Sequence, residues 1–202
     1  MSFMCCDVRI NHTKCVKIAI IGGIGSGKSE VLGVARDMGL ACLSADEINR
    51  ELLTSPEYIA KLEEAFPYAV KDGEVLRAAL ASRVFSDGGE RAKLNALAHP
   101  RILTRISEAK ENPLVVEMPL LVEIGASGLF DEIVLVTAPM ELRLNRLEAR
   151  GLDREDAIRR ISAQASEDEL KAVATRVIDN SGGREALRKN AENVLCEILK
   201  CK

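Results

Sequence analysis

Eight consecutive residues, Gly22-Gly23-Ile24-Gly25-Ser26-Gly27-Lys28-Ser29, fit the pattern G-x-x-x-x-G-K-[ST]. Their types suit one task, holding phosphate. Glycines permit positive φ and let the main chain approach a ligand closely, so successive N–H groups can surround phosphate oxygens. Lys28 would reach the β- and γ-phosphates of a nucleotide, and the Ser29 hydroxyl would bind Mg²⁺. The plainer alternative is a glycine-rich turn that binds nothing, and the flanking sequence argues against it. Val16 to Ile21 is rich in β-branched residues and reads as a buried strand, while Val31, Leu32, Val34, Ala35 and Met38 recur at helical spacing. Strand, glycine turn and helix is the context in which the motif binds phosphate, with the helix N-terminus adding its dipole.

Other candidates stand further along. Asp46 follows the apolar run Leu40 to Leu43, and in open α/β sheets ligands sit beyond the carboxyl ends of the strands. Asp46 is either a helix N-cap or a group that handles a proton, and the two roles are compatible. Glu117 closes another apolar run and would either orient magnesium-bound water or lie on the surface at a strand end. Arg143, Arg146 and Arg150 at i, i+3 and i+7 share a helix face. Cations so close repel unless solvated or given an anion such as a triphosphate, a role suited to the planar guanidinium. Glu141 and Glu148 between them leave a solvated basic face open as the alternative.

The surrounding pattern alternates strand and helix, with one interruption. Residues 16–46, 113–140 and 176–202 read as a nucleotide-binding core with strands at Val16–Ile21, Leu40–Leu43, Leu114–Met118, Ile133–Thr137 and Val177–Ile178. The near-continuous apolar runs predict a mostly parallel sheet covered on both faces. Residues 47–112 carry helical periodicity and no strand signal, with breaks at Phe66-Pro67 and Lys71-Asp72-Gly73, and Pro100 is expected to divide or kink the last helix. This block reads as an inserted helical lobe for a second substrate. Residues 141–175 read as a helical hairpin over the nucleotide, with Asp153 capping a helix through Gln164 and a capping box at Ser166-Glu167-Asp168-Glu169. Residues 1–15 form a variable extension, and an amphipathic helix from about Arg184 to Leu199 closes the chain.

A chain of 202 residues supports one sizeable core with a small added lobe. Its 28 basic and 31 acidic residues give a net charge of −3, with no general pull toward nucleic acid or anionic membrane. No apolar run approaches a membrane span and residues 1–15 lack a signal-peptide core, so a cytoplasmic protein is expected. Cys5, Cys6, Cys15, Cys42, Cys196 and Cys201 show no C-x-x-C spacing, and His12 and His99 are far apart, so no zinc site is expected. The oligomeric state stays open, with a monomer favoured.

Among nucleotide-binding classes, a Ras-type GTPase would need N-K-x-D, which is absent. Asp179-Asn180-Ser181-Gly182 matches D-x-x-G but stands near the end of the chain, and the chain is too short for a motor or an unfoldase. A compact core with a helical insert and an arginine-bearing hairpin fits a small-molecule kinase.

From Lys17 through the last helix the sequence resembles the dephospho-CoA kinases. Residues 22–29 match that family's G-G-I-G-S-G variant of the loop, and Ser44-Ala45-Asp46 with Arg50 resembles its D-A-D-x-x-x-R segment. Gly73 to Arg77 with Leu80 resembles G-x-x-x-R-x-x-L, His99-Pro100-x-Ile102 matches H-P-x-I, and Pro119-Leu120-Leu121-x-Glu123 matches P-L-L-x-E. Arg146-x-x-x-Arg150, Gln164 and the Asn180 turn follow in the family's order.

The resemblance implies a P-loop NTPase-type, doubly wound, mostly parallel five-stranded α/β fold with a helical insert and a helical lid. It also implies the last step of coenzyme A biosynthesis, transfer of the γ-phosphoryl of ATP to the ribose 3′-hydroxyl of dephospho-CoA with Mg²⁺. Asp46 matches the family's base, and Lys28 would neutralise charge on the transferring group. Gly23, Ile24, Gly25, Ser26, Gly27, Lys28, Ser29, Glu30, Arg146 and Asn180 are expected to contact ATP, with Asn180 near adenine. Arg50, Arg77 and His99 are expected to bind the acceptor, Ser29 to ligate Mg²⁺ and Glu117 to hold it through water. Ser44, Ile21 and Glu30 depart from the family pattern, and Glu30 adds an anion near the phosphates. Rival readings are a P-loop kinase of another small metabolite and a catalytically silent nucleotide binder.

Overall fold

In a computed structural model, residues 16–200 are described. The variable extension over residues 1–15, with three of the cysteines and His12, lies outside them, as does Cys201.

Strand β1 (Lys17–Ile21) runs into the glycine loop and helix α1 (Lys28–Asp37), followed by β2 (Ala41–Ser44). Next come α2 (Ala45–Leu52), α3 (Pro56–Ala65), the short strands β3 (Val70–Lys71) and β4 (Glu74–Val75), α4 (Arg77–Ser86) and α5 (Gly88–Ser107). The chain then returns through β5 (Leu114–Glu117) and β6 (Glu132–Thr137) to α6 (Met140–Glu148). It ends with α7 (Arg154–Ser162), α8 (Glu167–Val173), β7 (Arg176–Asp179) and α9 (Arg184–Lys200).

The main sheet is five-stranded in the order β2-β5-β1-β6-β7, and β1 pairs in parallel with β5 and β6, as β6 does with β7. Ile18 and Ile20 of β1, Val115, Val134, Val136 and Ile178 belong to one cluster with Val31, Leu32 and Ala35 of α1 and Leu187, Ala191, Leu195 and Ile198 of α9. Alternate residues Ala19, Ile21, Val116 and Leu135 are buried as well, which is why these strands read as unbroken apolar runs. Burying each such aliphatic side chain contributes about 1.5–3 kcal/mol.

The chain forms two compact units, one from the residues up to Cys42 and from Lys110 on, the other from Leu43 to Ala109. The second is mostly helical around buried Tyr58, Leu62, Phe66, Leu80, Ile102 and Ile106. It contains a strand pair that the sequence reading lacked, since β3 and β4 form an antiparallel hairpin. The reason lies in its tip. Asp72 (φ 53°) and Gly73 (φ 77°) both adopt positive φ, as a tight two-residue hairpin turn requires, and Asp-Gly is a preferred pair there. Pro100 does not divide its helix, because α5 continues from Gly88 to Ser107 through it. The proline lacks only the N–H that would pair with the Ala96 carbonyl; one residue on, the Arg101 guanidinium donates to the Leu97 carbonyl at 2.9 Å.

Candidate active site

The loop between β1 and α1 is shaped by what each peptide bonds to. Ser26 N–H donates to Gly23 O at 3.1 Å, which turns the chain, and Gly27 (φ 108°) serves as N-cap of α1. A Cβ on Gly27 would lie 2.4 Å from Asn180 Nδ2, so both its φ and its surroundings demand glycine. Lys28, 7% exposed, curls back so that Nζ donates to Gly22 O at 2.8 Å and Gly23 O at 3.0 Å. Its charge is thereby held against the loop.

Further carbonyls are tied from outside by side chains remote in sequence. Asn180, 4% exposed, donates from Nδ2 to Ser26 O at 2.6 Å. Arg146 donates to Gly25 O at 3.2 Å, to Ser26 O at 3.5 Å, and to Asn180 O and Oδ1 at 3.2 and 3.3 Å. With carbonyls engaged this way, the loop and the first turn of α1 can offer N–H groups to an anion. Sequence spacing had suggested a face of three arginines, but α6 ends at Glu148 and Arg150 lies beyond its C-cap. The α7 helix likewise stops at Ser162, short of Gln164.

Register carries Glu117 to this site. It pairs with Ile20 across the sheet, two residues from the loop, and stays 8% exposed while Oε1 accepts from Ser29 Oγ at 3.1 Å. The alternative of a surface carboxylate at a strand end is therefore wrong for Glu117. An exposed hydroxyl in contact with a buried carboxylate offers hard oxygen donors of the kind that Mg²⁺ takes, with water completing its octahedron. Glu30 points elsewhere. Its carboxylate pairs with Arg188 at 2.7 Å and Arg184 at 3.0 Å, and the Arg188 hydrogen bond holds it below the usual glutamate range. The extra anion after Ser29 is thus neutralised by α9.

The segment from α6 to α8 also touches the loop. Gln164 Oε1 accepts the Ile24 N–H at 2.7 Å and Arg143 Nε donates to Ile24 O at 2.9 Å, so the peptide groups on either side of Ile24 are each held by one side chain. Burial pushes the Arg143 pKa down, partly offset by the charge of Glu167. Glu123 Oε1 accepts the Ala165 N–H at 3.0 Å and fixes the Gln164 segment from below. Nothing local in the sequence signalled these bonds of Gln164 and Arg143, since Ile24 lies 140 and 119 residues from them.

The remaining sequence candidates belong to the second unit. Asp46 is the second residue of α2, exposed, and Ser44 holds the N-cap position, so the cap reading of Asp46 is not met. Its carboxylate has no hydrogen-bond partner among the described residues, while its carbonyl accepts from Arg50 Nε at 3.2 Å. Arg77 opens α4 and is exposed; His99 sits half-buried in α5, where desolvation lowers its pKa. Helices α2 and α4 both pack on α5.

An anion-receiving loop on the central strand of a parallel sheet, with a buried lysine and an oxygen pair suited to Mg²⁺, defines a P-loop nucleotide-binding protein. The family described as Dephospho-CoA kinase matches residues 16–186. A dephospho-CoA kinase of Deinococcus radiodurans is 41% identical over 190 residues, covering 90% of this chain and 92% of that protein. A solved dephospho-CoA kinase from Campylobacter jejuni superposes with a TM-score of 0.69 at 27% identity, over 91% of this chain and 97% of that one. A crystal structure from Thermus thermophilus gives a TM-score of 0.77 at 37% identity, over 91% and 97% of the two chains. The chain belongs to the dephospho-CoA kinase family.

Proposed function

We propose that this protein transfers the γ-phosphoryl group of ATP to the ribose 3′-hydroxyl of dephospho-CoA, giving CoA and ADP. The observation that carries this reading is a complete phosphate-binding loop in a chain whose family match spans residues 16–186. In the transfer, the acceptor oxygen forms a bond to the γ-phosphorus, the bond from that phosphorus to the β–γ bridging oxygen breaks, and ADP leaves. Asp46, whose carboxylate has no hydrogen bond among the described residues, takes the hydroxyl proton and orients the attacking oxygen. Lys28 offsets negative charge on the transferring group, while loop N–H groups hold the β-phosphate. Ser29 and Glu117 would hold Mg²⁺, which when bound supplies positive charge to the phosphates. Such catalysis is mainly positioning and electrostatics.

Arg50, Arg77 and His99 bind the acceptor in this reading, the unit Leu43–Ala109 receives it, and the α6–α8 region serves as lid. Arg146 acts on ATP by bracing the loop carbonyls. Asn180 acts through Ser26, and its turn is the segment assigned to adenine.

A coupled ADP-release assay with ATP, Mg²⁺ and a panel of acceptors tests the proposal. Dephospho-CoA is expected to outpace AMP, CMP, shikimate and gluconate by a wide margin. Equal or faster turnover with any of those would assign the site to another metabolite.

A further inference from the structure

Against the phosphate loop lies a pocket of about 230 Å³ to which the transfer as proposed above assigns no group. Gly23 and Ser26 are the loop residues that line it, together with the end of β6, Arg143, Gln164 and the start of α8. Lys28, Ser29 and Glu117 are not among its walls. Its size falls short of the roughly 300–1,000 Å³ of small-molecule sites, so it suits one small group rather than a nucleotide.

The lining is rich in donors. Arg143 spends only Nε, on Ile24 O, and neither Nη1 nor Nη2 has a partner among the described residues. That guanidinium end lies against Gly23, where an added Cβ would meet Nη2 at 2.2 Å and Nη1 at 3.0 Å. Gln164 spends Oε1 on the Ile24 N–H, which leaves its amide NH₂ to donate. Ser26, also in the wall, buries its hydroxyl with no hydrogen-bond partner. The carboxylate of the lining, Glu167, is paired with Lys171 at 2.7 Å; its charge acts on Arg143, but it makes no hydrogen bond to that guanidinium. A half-buried guanidinium with two idle nitrogens calls for a counter-anion, and its planar fork matches a phosphate or carboxylate.

We propose that this pocket binds an oxyanion between Arg143 and Gln164, and that the occupant fastens the α6–α8 lid to the phosphate loop. The mechanical link is Ile24, whose backbone N–H and C=O are held by the same two side chains. An anion that orders both side chains orders the loop with them, and by linkage bound nucleotide strengthens the anion in turn. The oxyanion is a free ion of the phosphate class, separate from the phosphates of the nucleotide that the loop holds.

The test uses full-length protein saturated with Mg²⁺ and ADP, so that the loop is filled. Melting temperature is followed as inorganic phosphate replaces chloride at constant ionic strength, and ADP and ATP affinities are measured directly. For a free ion, phosphate raises the melting temperature saturably in the wild type. Arg143→Gln and Gln164→Glu both abolish that rise, with ADP raised as far as each variant's measured affinity requires for saturation. Gln164→Glu keeps an acceptor for Ile24 N–H but adds a repelling charge, so the proposal stays testable if Arg143→Gln folds poorly. If instead the wild type ignores added phosphate and Arg143→Gln weakens ATP about tenfold or more but ADP much less, the guanidinium serves the nucleotide itself and the proposal is overturned. A wild type indifferent to phosphate, with ATP and ADP affinities changed equally or not at all by both variants, overturns the proposal. These affinities do not depend on the acceptor, so failure here is distinct from failure of the dephospho-CoA assignment.

Discussion

The acidic side chains of the two units are occupied to different degrees, and that difference bears on their roles. Glu117 accepts from Ser29, Glu30 is paired with Arg184 and Arg188, and Glu123 holds the Ala165 amide. The Asp46 carboxylate has no such bond among the described residues. Asp46→Asn is therefore expected to lower kcat by about 10²–10⁴-fold, the usual scale for a lost general base, with ATP affinity little changed in equilibrium binding. Lys28→Ala removes both the ammonium and its bonds to Gly22 O and Gly23 O, so ATP affinity and kcat should fall together. Lys28 and Ser29 were legible in the sequence because neighbouring residues define their setting. Arg146 and Asn180 were legible as candidates but not as braces, because their partner Ser26 lies 120 and 154 residues away. Asn180→Ala strips the Ser26 carbonyl of its 2.6 Å bond and is expected to raise the KM for ATP more than it lowers kcat.

At the scale of elements, α9 matters more than its amphipathic pattern announced. Arg188 bridges Glu30 near the start of α1 and Asp37 at its end, so two helices on one sheet face are joined by charge as well as packing. Glu30 has its pKa lowered in the folded protein, chiefly by the Arg188 hydrogen bond. Its contribution is therefore present above the ordinary glutamate value of about 4.5 and fades as pH falls through the lower folded value. Glu30→Gln should cost up to about 1 kcal/mol in urea unfolding at pH 7, the scale of partly exposed ion pairs. The gap between variant and wild type should close in strongly acidic buffer. Periodicity revealed helices and buried strands well, because both patterns arise from the same apolar faces that pack. It passed over the β3–β4 hairpin, whose strands of two residues are too short for any period. Only the Asp72-Gly73 turn could have signalled it.

For the whole molecule, the parallel order with β1 at the centre explains why a loop at its carboxyl end can be reached by side chains from β5, α6 and the turn after β7. The core beneath the loop should be sensitive. Leu195→Ala, fully buried on α9, is expected to lower stability by about 2–5 kcal/mol in urea unfolding while leaving loop chemistry intact in surviving native protein. Sheet order was not legible, since strand pairing depends on contacts between distant runs of similar composition; alternation of strand and helix and the position of the insert were.

The central claim is the identity of the product. Purified protein with ATP, Mg²⁺ and dephospho-CoA would be followed by mass spectrometry and phosphorus NMR. The expected result is one ADP released for each dephospho-CoA made heavier by one phosphoryl group, with the new phosphomonoester on the ribose 3′-oxygen. ADP release without a heavier dephospho-CoA, or a phosphate on any other atom, would contradict it.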